Sequence, residues 1–485
     1  MAYWLMGAEK TVTIDLNLPE FANYDSPYPL GFHNIRREYF AVLHLGEGDG
    51  WDVNRPSMSS ILMFHGKIYL IDAGPNIINS LTALGIGINE IEGIFHTHSH
   101  DDHFAGLMTL IRADHKIKYY ATPLVRSSVC KKLSALLSVS EDNFSAYFDV
   151  QDLSVDVWNN IDGLDVKPIF SPHPVETSIF IFRTFGEEGY RSYGHFADIV
   201  SLNVLKKMIA ENTAQTGISQ GLYDRVKNSY LTTVDLKKLD IGGGMIHGTA
   251  EDFSNDESEK IILAHTSQPL TGRQKEIGSG APFGTLDRLI PSYRDYGWQA
   301  AYKFLKTNFP LTPDHQLQIL LNSEIVDLNP HTILLKEGEN HQEIYLTLTG
   351  VVEGIKSSQN KGLFYAGTLI GEESGMDNLP CEQTFRSLSF VRALKIPAGL
   401  YVEFANQNKL HEAIEQLQTI REFLKETWLF GEGISCPVLN KIAQATQQIQ
   451  ISNREKWSYT RPNALYLVAQ GCLERIYEGI TFEVM

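Results

Sequence analysis

Apolar positions recur along this chain in two regimes. Through the first half, short apolar runs bounded by turn residues read as buried strands at residues 39–43, 59–64, 67–71, 91–95 and 178–182. His65-Gly66 joins the second and third of these as a hairpin turn. Between the strands, residues 77–84 and 104–111 carry apolar side chains at helical spacing. Strand and helix alternate again over 115–170, and this alternation predicts a layered α/β architecture. Residues 12–14 read as a further short strand. In 200–238, Leu202, Leu205, Met208 and Ile209 fall at helical spacing and predict a helical hairpin packed over or beside whatever the strands support. The acidic stretch 251–259 reads as a solvated loop.

The second regime begins after a Pro- and Gly-rich stretch at 268–297, where the pattern places a domain boundary. Helical runs at 298–305 and 315–321 precede short strands at 333–335, 343–348, 351–355, 363–365 and 390–397. Turns punctuate them closely, which predicts a β-roll or barrel, with helices over 401–429 behind it. Residues 463–474 echo 344–353, as the start of a second such unit cut short at Met485. The expected domains are 1–290, 310–430 and a partial β-roll-like segment over 435–485, which would pair with the first roll or with another copy of the chain in a homodimer.

Composition narrows the partners. A chain of 485 residues that is 43% apolar and 20% charged is that of a globular protein of two or three domains. A net charge of −17 argues against broad nucleic-acid contact. Neither a signal peptide nor a membrane span is visible, and Cys130, Cys381, Cys436 and Cys472 are too scattered for a disulfide framework or a zinc-thiolate site, so a reduced cytoplasmic setting is expected.

The densest chemistry lies in Thr97-His98-Ser99-His100-Asp101-Asp102-His103, at the turn from a strand into a helix. His98 and His100, two apart, project to one side of an extended backbone. Imidazole nitrogens and carboxylate oxygens are the donors that zinc, iron and manganese accept. The pattern His-x-His-x-Asp-His resembles the signature of the metallo-β-lactamase superfamily. That resemblance covers about residues 30–270 and implies a four-layer αββα fold. It also implies an Asp at the strand end, Asp72, that supports the metal loop through hydrogen bonds.

By the same resemblance, His173 in Ser171-Pro172-His173-Pro174 is the third ligand motif. Asp198 stands where the family shows Gly-Asp-Thr, here Ala197-Asp198-Ile199. Two histidines compete for the last ligand, His247 in Ile246-His247-Gly248-Thr249 and His265 in Leu263-Ala264-His265-Thr266. The pair is similar to ribonuclease Z and its phosphodiesterase relatives, which makes His265 the ligand and His247 the catalytic group aimed at the scissile bond. Gly248 replaces the family's Glu, which leaves open what orients His247.

The implied assembly is a pair of divalent ions, zinc first and iron or manganese as alternatives. His98, His100 and His173 would hold one, Asp102, His103 and His265 the other, and Asp198 both. Metals about 3.5–4 Å apart activate a shared water and stabilise the attacking and leaving oxygens. The function expected is hydrolysis of a small phosphodiester, a nucleotide or cyclic nucleotide, by a metal-bridging hydroxide, with Asp102 and His247 as the catalytic residues. Lactone, thioester or β-lactam hydrolysis and a non-hydrolytic di-iron sensor stay open beside it. Tyr193 and His195 are expected to reach the pocket, and His96 reads as a core or supporting histidine.

Residues 310–430 resemble the cyclic nucleotide-binding domain family through 344–353 and Leu369-Ile370-Gly371-Glu372-Glu373. Gly371 and Glu372 match the family's ribose-binding Gly-Glu. The phosphate-binding Arg is replaced by Cys381 with Glu382 beside it, which opposes an anion, so a structural or dimerising β-roll is expected before a cyclic-nucleotide effector site.

Overall fold

The computed structural model describes residues 2–6, 11–15, 26–210, 216–244, 246–357, 361–427, 429–430, 434–453, 455, 464–477 and 480–484. Among these, the first regime forms two packed sheets. One has seven strands in the order Leu286–Ile290, Phe40–Gly46, Ser59–Phe64, Lys67–Ile71, Ile91–Phe95, Ile117–Ala121 and Phe148–Asp152. The other has six, in the order Lys260–Ala264, Leu236–Asp240, Gly189–Phe196, Thr177–Gly186, Leu164–Ser171 and Asn159–Ile161. The strand Leu286–Ile290 returns from the Pro/Gly-rich stretch to pair with Phe40–Gly46, so much of that stretch belongs to the first domain.

Three apolar layers hold the sheets. Phe40, Phe64, Phe95, Phe180, Phe182 and Tyr193 fill the space between them, with Phe95 stacked on Tyr120 at 4.7 Å between ring centres. Each such side chain fully buried contributes about 1.5–3 kcal/mol. Helices Ile77–Ala83 and Pro123–Leu137 cover the outer face of the seven-stranded sheet through Leu81, Val125, Val129 and Leu133. Leu202, Leu205, Val226 and Tyr230 cover the other sheet. The result is an αββα sandwich.

The expected helix over 104–111 is instead two short turns, Asp101–Phe104 and Leu107–Leu110, broken at Gly106. At the break Gly106 donates its N–H to the Ala73 carbonyl at 2.8 Å instead of to the preceding turn, and a side chain there would meet the Gly74 carbonyl oxygen at 2.5 Å. The region 200–238 yields helices Leu202–Lys207 and Gln220–Tyr230, and part of their connection lies outside the described residues.

The second regime folds into two facing four-stranded sheets. One orders Glu324–Leu328, Val391–Pro397, Glu343–Thr349 and Leu369–Ile370; the other orders Ile333–Leu335, Thr384–Ser387, Val352–Ile355 and Lys361–Phe364. Leu335, Val352, Ile370, Cys381 and Phe385 pack in their midst, and helices Tyr296–Asn308, Asp314–Leu321, Ala398–Gln407 and His411–Glu426 flank them. This is a β-roll with C-terminal helices. Beyond it come the helix Cys436–Ala445 and the hairpin Leu473–Tyr477 with Ile480–Val484. Residues 464–468 form no strand, and Asn463 lies outside the described residues.

The β-roll docks on the turn that feeds the Ile91–Phe95 strand. The Glu90 carboxylate accepts the backbone N–H of Gly87 at 2.6 Å and of Gly350, from the roll, at 2.9 Å, and pairs with Arg37. Arg392 of the roll binds Asp295 through two contacts of 2.6 Å.

Candidate metal centre

The strand Ile91–Phe95 ends by delivering Thr97, His98, His100, Asp102 and His103 to the edge of the sandwich. Asp72, at the end of the neighbouring strand, fixes this loop. Its carboxylate accepts the Thr97 N–H at 2.8 Å, the Thr97 hydroxyl at 2.6 Å and the His103 Nδ1–H at 2.8 Å. Since Thr97 gives its hydroxyl proton to Asp72, the 2.9 Å contact with His98 must be an Nδ1–H donated to Thr97 Oγ1. The lone pair of His98 Nε2 then faces Asp198 Oδ2, 3.3 Å away.

The same economy repeats around the site. His173 donates Nδ1–H to the Ile246 carbonyl at 3.0 Å and turns Nε2 to within 3.4 Å of Asp198 Oδ2. His103 spends Nδ1 on Asp72 and sets Nε2 3.1 Å from Asp198 Oδ1 and 3.2 Å from Asp102 Oδ2. His265 sets Nδ1 3.3 Å from Asp240 Oδ1, with Nε2 3.2 Å from Asp102 Oδ2 and 3.4 Å from Asp198 Oδ1. His100 Nδ1 lies 3.9 Å from Asp198 Oδ2. Three imidazoles, those of His98, His103 and His173, are thus oriented from outside by an acceptor and present the inner nitrogen to one carboxylate, as histidines on a metal do, while His265 Nδ1 is buried without a hydrogen bond.

The residues fit a metal. The ligand atoms of His98, His100, His173 and Asp198 lie within 4.8 Å of one another, as do those of Asp102, His103 and His265. His98 Nε2, His103 Nε2 and Asp198 Oδ1 are buried with no hydrogen-bond partner, and a cation between them would satisfy all three. Asp198 adjoins both groups and also a third, with Asp240, His247 and His265. Asp72, Asp198 and His265 have φ of 62°, 50° and 58°, a left-handed backbone uncommon outside glycine and costing of order 1–3 kcal/mol each. Such strain gathers where a site over-determines the chain.

Solvent reaches the cluster on one side. His98 and His103 side chains are fully buried, whereas His100, Asp102 and His247 side chains are 36%, 16% and 17% exposed. Burial pulls the pKa of His96 down to about 4 and that of His195 to about 3, so both stay neutral. His96 contacts the Tyr119 hydroxyl at 3.2 Å, as a core histidine does. Tyr193 and His195, expected at the pocket, are instead fully buried, their hydroxyl and Nδ1 2.8 Å apart, in the core beneath the site.

Fold and cluster together define an αββα sandwich whose His/Asp cluster could hold divalent metal, backed by a β-roll. Residues 40–204 match the family model described as anti-Pycsar protein Apyc1. The chain is 23% identical over 345 residues to cAMP/cGMP-dependent 3',5'-cAMP/cGMP phosphodiesterase B of Dictyostelium discoideum, covering 67% of this chain and 31% of that protein. The chain therefore spans under a third of the length of this curated relative. A solved diphosphatase of the PhnP family is similar at a TM-score of 0.38 and 15% identity, over 51% of this chain and 96% of its own. The regulatory domain of Toxoplasma gondii PKA, solved with cAMP, is similar at a TM-score of 0.24 and 16% identity, over 32% of this chain and 60% of its own.

The structure brings together His98, His100, Asp102, His103, His173, Asp198 and His265, and places His247 beside them, its ring centre 4.6 Å from that of His265. Gly371 and Glu372 lie apart in the β-roll. Both Glu372 oxygens are taken from within the chain, by the Tyr401 hydroxyl at 2.5 Å and Arg421 at 3.1 Å.

Sequence reasoning missed Asp240. It closes the strand Leu236–Asp240, accepts the backbone N–H of Gly242 at 2.8 Å and of Ile199 at 3.1 Å, and receives His247 Nδ1–H at 3.0 Å. It stands in for the Glu missing at Gly248. The signal was present: Leu239-Asp240-Ile241-Gly242 repeats the strand-end pattern of Ile71-Asp72-Ala73-Gly74. Lys132 was also missed; its ammonium binds the Ser99 carbonyl at 2.7 Å and Asp101 at 2.6 Å, bracing the histidine loop from the helix behind. Asp240→Asn is expected to lower metal affinity or turnover about 10–100-fold, the usual cost of an outer partner. Metal titration followed by steady-state kinetics reads it; an unchanged variant would dismiss the orienting role.

Proposed function

We propose that this chain is a two-metal hydrolase of small phosphodiesters, cyclic nucleotides foremost. The observation that carries the proposal is the convergence on Asp198 of the inner nitrogens of His98, His103 and His173, whose outer nitrogens are already hydrogen-bonded, with His265 Nε2 beside them. In this reading His98, His100 and His173 would hold one divalent ion and Asp102, His103 and His265 the other, with the Asp198 carboxylate between the two groups. The ions supply Lewis-acid charge for the phosphoryl oxygens and activate water.

The chain's own residues do the rest. Asp72 and Asp240 fix the imidazoles before substrate arrives, so no reorganisation is needed during the reaction. His247, held by Asp240 at the open side, is placed to give a proton to the leaving oxygen. The name of the Dictyostelium relative supports a cyclic-nucleotide substrate, and the net charge of −17 favours a small ligand over a nucleic-acid polymer.

The test is metal analysis joined to an assay. The protein is expected to bind two divalent ions per chain and to hydrolyse cyclic AMP or cyclic GMP. It should lose that activity to a chelator and regain it on metal return. Full metal loading without hydrolysis of any phosphodiester would end the proposal. The metal that restores the highest turnover identifies the working ion.

A further inference from the structure

The loop between Gly46 and Ser59 runs along the Asp102–His265 rim of the site. Gly50 has φ 79°, and a side chain there would come within 2.6 Å of Asp102 Cβ, so the loop backbone lies directly on that candidate ligand. The loop is not loose. Gly48 N–H donates to the Pro56 carbonyl at 3.0 Å and Met58 N–H to that of Gly48 at 2.9 Å. Asp49 Oδ1 accepts the N–H groups of Trp51 at 3.0 Å and Asp52 at 3.3 Å, and Asp52 pairs with Arg55 at 3.0 Å. Arg55 donates to the Thr266 carbonyl, and Thr266 N–H donates to that of Glu47 at 3.0 Å, which stitches the loop to the residue after His265. At the loop base the Lys238 ammonium donates to the carbonyls of Gly46 and Ser59, both at 2.8 Å.

At the tip of this braced loop, one residue from Gly50, Trp51 is 88% exposed. Most tryptophans in a folded chain bury the bulk of their large apolar surface. Here a fixed turn holds an indole in water, one residue from the backbone that lies on Asp102. Across the site Ile246, whose carbonyl orients His173, is also 40% exposed.

We propose that Trp51 determines substrate specificity by stacking on the nucleobase of the phosphodiester substrate. This rests on the phosphodiesterase reading for its catalytic consequence. An indole face accepts any base, because every base presents a π-surface, and the stack places the ring at the rim while the phosphate reaches the cluster. Trp51 touches neither ion nor phosphate, so its contribution falls on binding rather than on the chemical step.

The test compares wild-type protein, Trp51→Phe and Trp51→Ala on cyclic AMP, cyclic GMP and the cyclic phosphate of methyl riboside, which keeps the phosphodiester and lacks the base. Trp51→Ala is expected to raise KM for both cyclic nucleotides about tenfold or more, the effect of one lost base–aromatic stack, with kcat within about twofold. Trp51→Phe should recover most of the loss, and the base-free ester should be unaffected. An unchanged KM for the nucleotides, or an equal loss on the base-free ester, overturns the proposal. A second readout does not need turnover: cyclic AMP should quench tryptophan emission in the wild type, and Trp51→Phe should remove that quench. If the protein hydrolyses no phosphodiester, the catalytic reading falls while this quench still decides Trp51, and its absence from the wild type removes the stacking role.

Discussion

If the proposed two-metal site is correct, replacing Asp198 by asparagine is expected to remove one of the two proposed ions and to lower phosphodiester turnover by more than the roughly 10–100-fold that loss of an outer partner costs. The reason lies in how the two carboxylate oxygens are used. Oδ2 faces His98 and His173, and Oδ1 faces His103 and His265. An amide keeps one acceptor and turns the other position into a donor, so it can serve one group of imidazoles and must oppose the other. Asparagine tolerates the left-handed φ of 50° at this position, and the backbone should survive the change. A bound-metal count falling from two toward one, with a melting profile of native cooperativity, is the expected result. Two retained ions and undiminished turnover would show that Asp198 is not shared.

How much of this site could be read from the residues alone follows from how local each part is. The loop from Thr97 to His103 is contiguous, so its chemistry shows in seven letters. His173, Asp198 and His265 each end a strand or enter a loop, and only the order of motifs tied them to that loop. Asp240 was passed over because its partner residues are seven and twenty-five positions away in chain order, at His247 and His265. A strand-end aspartate has no local mark that says which side chain it will meet. Lys132 and Lys238 are harder still. The first reaches the histidine loop from a helix, and the second is wholly buried in a strand, where burial pulls its pKa down to about 7 and three oxygens from Gly46, Ser59 and Ser60 receive it. Apolar periodicity carried the sandwich well, because its sheets bury one face against the other and one against helices. It carried the helix after His103 less well, since at Gly106 the chain turns its N–H to the Ala73 carbonyl, thirty-three positions upstream, instead of to the preceding turn.

The β-roll gives the second large effect. Glu372→Ala is expected to cost about 3–5 kcal/mol of stability, because it strands the Arg421 guanidinium and the Tyr401 hydroxyl in a buried setting. Arg421 also donates to Asn440 at 2.9 Å, and Asn440 to Asn308 at 2.9 Å, so the loss should spread through three helices around the roll. Replacing both charges, Glu372→Met with Arg421→Met, should return the share lost through Arg421, since a buried ion pair is often worth no more than an apolar pair of similar volume, while the Tyr401 hydroxyl stays without its acceptor. Thermal unfolding of the two single variants and the double variant forms the cycle that measures this. A roll that kept Glu372 for a ribose hydroxyl would behave in the opposite way. Its single variant would melt as the wild type does without ligand, and would forfeit only the added stability that a cyclic nucleotide gives by mass action. The positions that oppose an anion point the same way as the cycle is expected to: Cys381 is buried with its sulfur 3.2 Å from the Gln383 carbonyl, and Arg386 is bound to Glu353 at 2.7 Å, so no arginine of the 380–386 stretch is left to meet a phosphate.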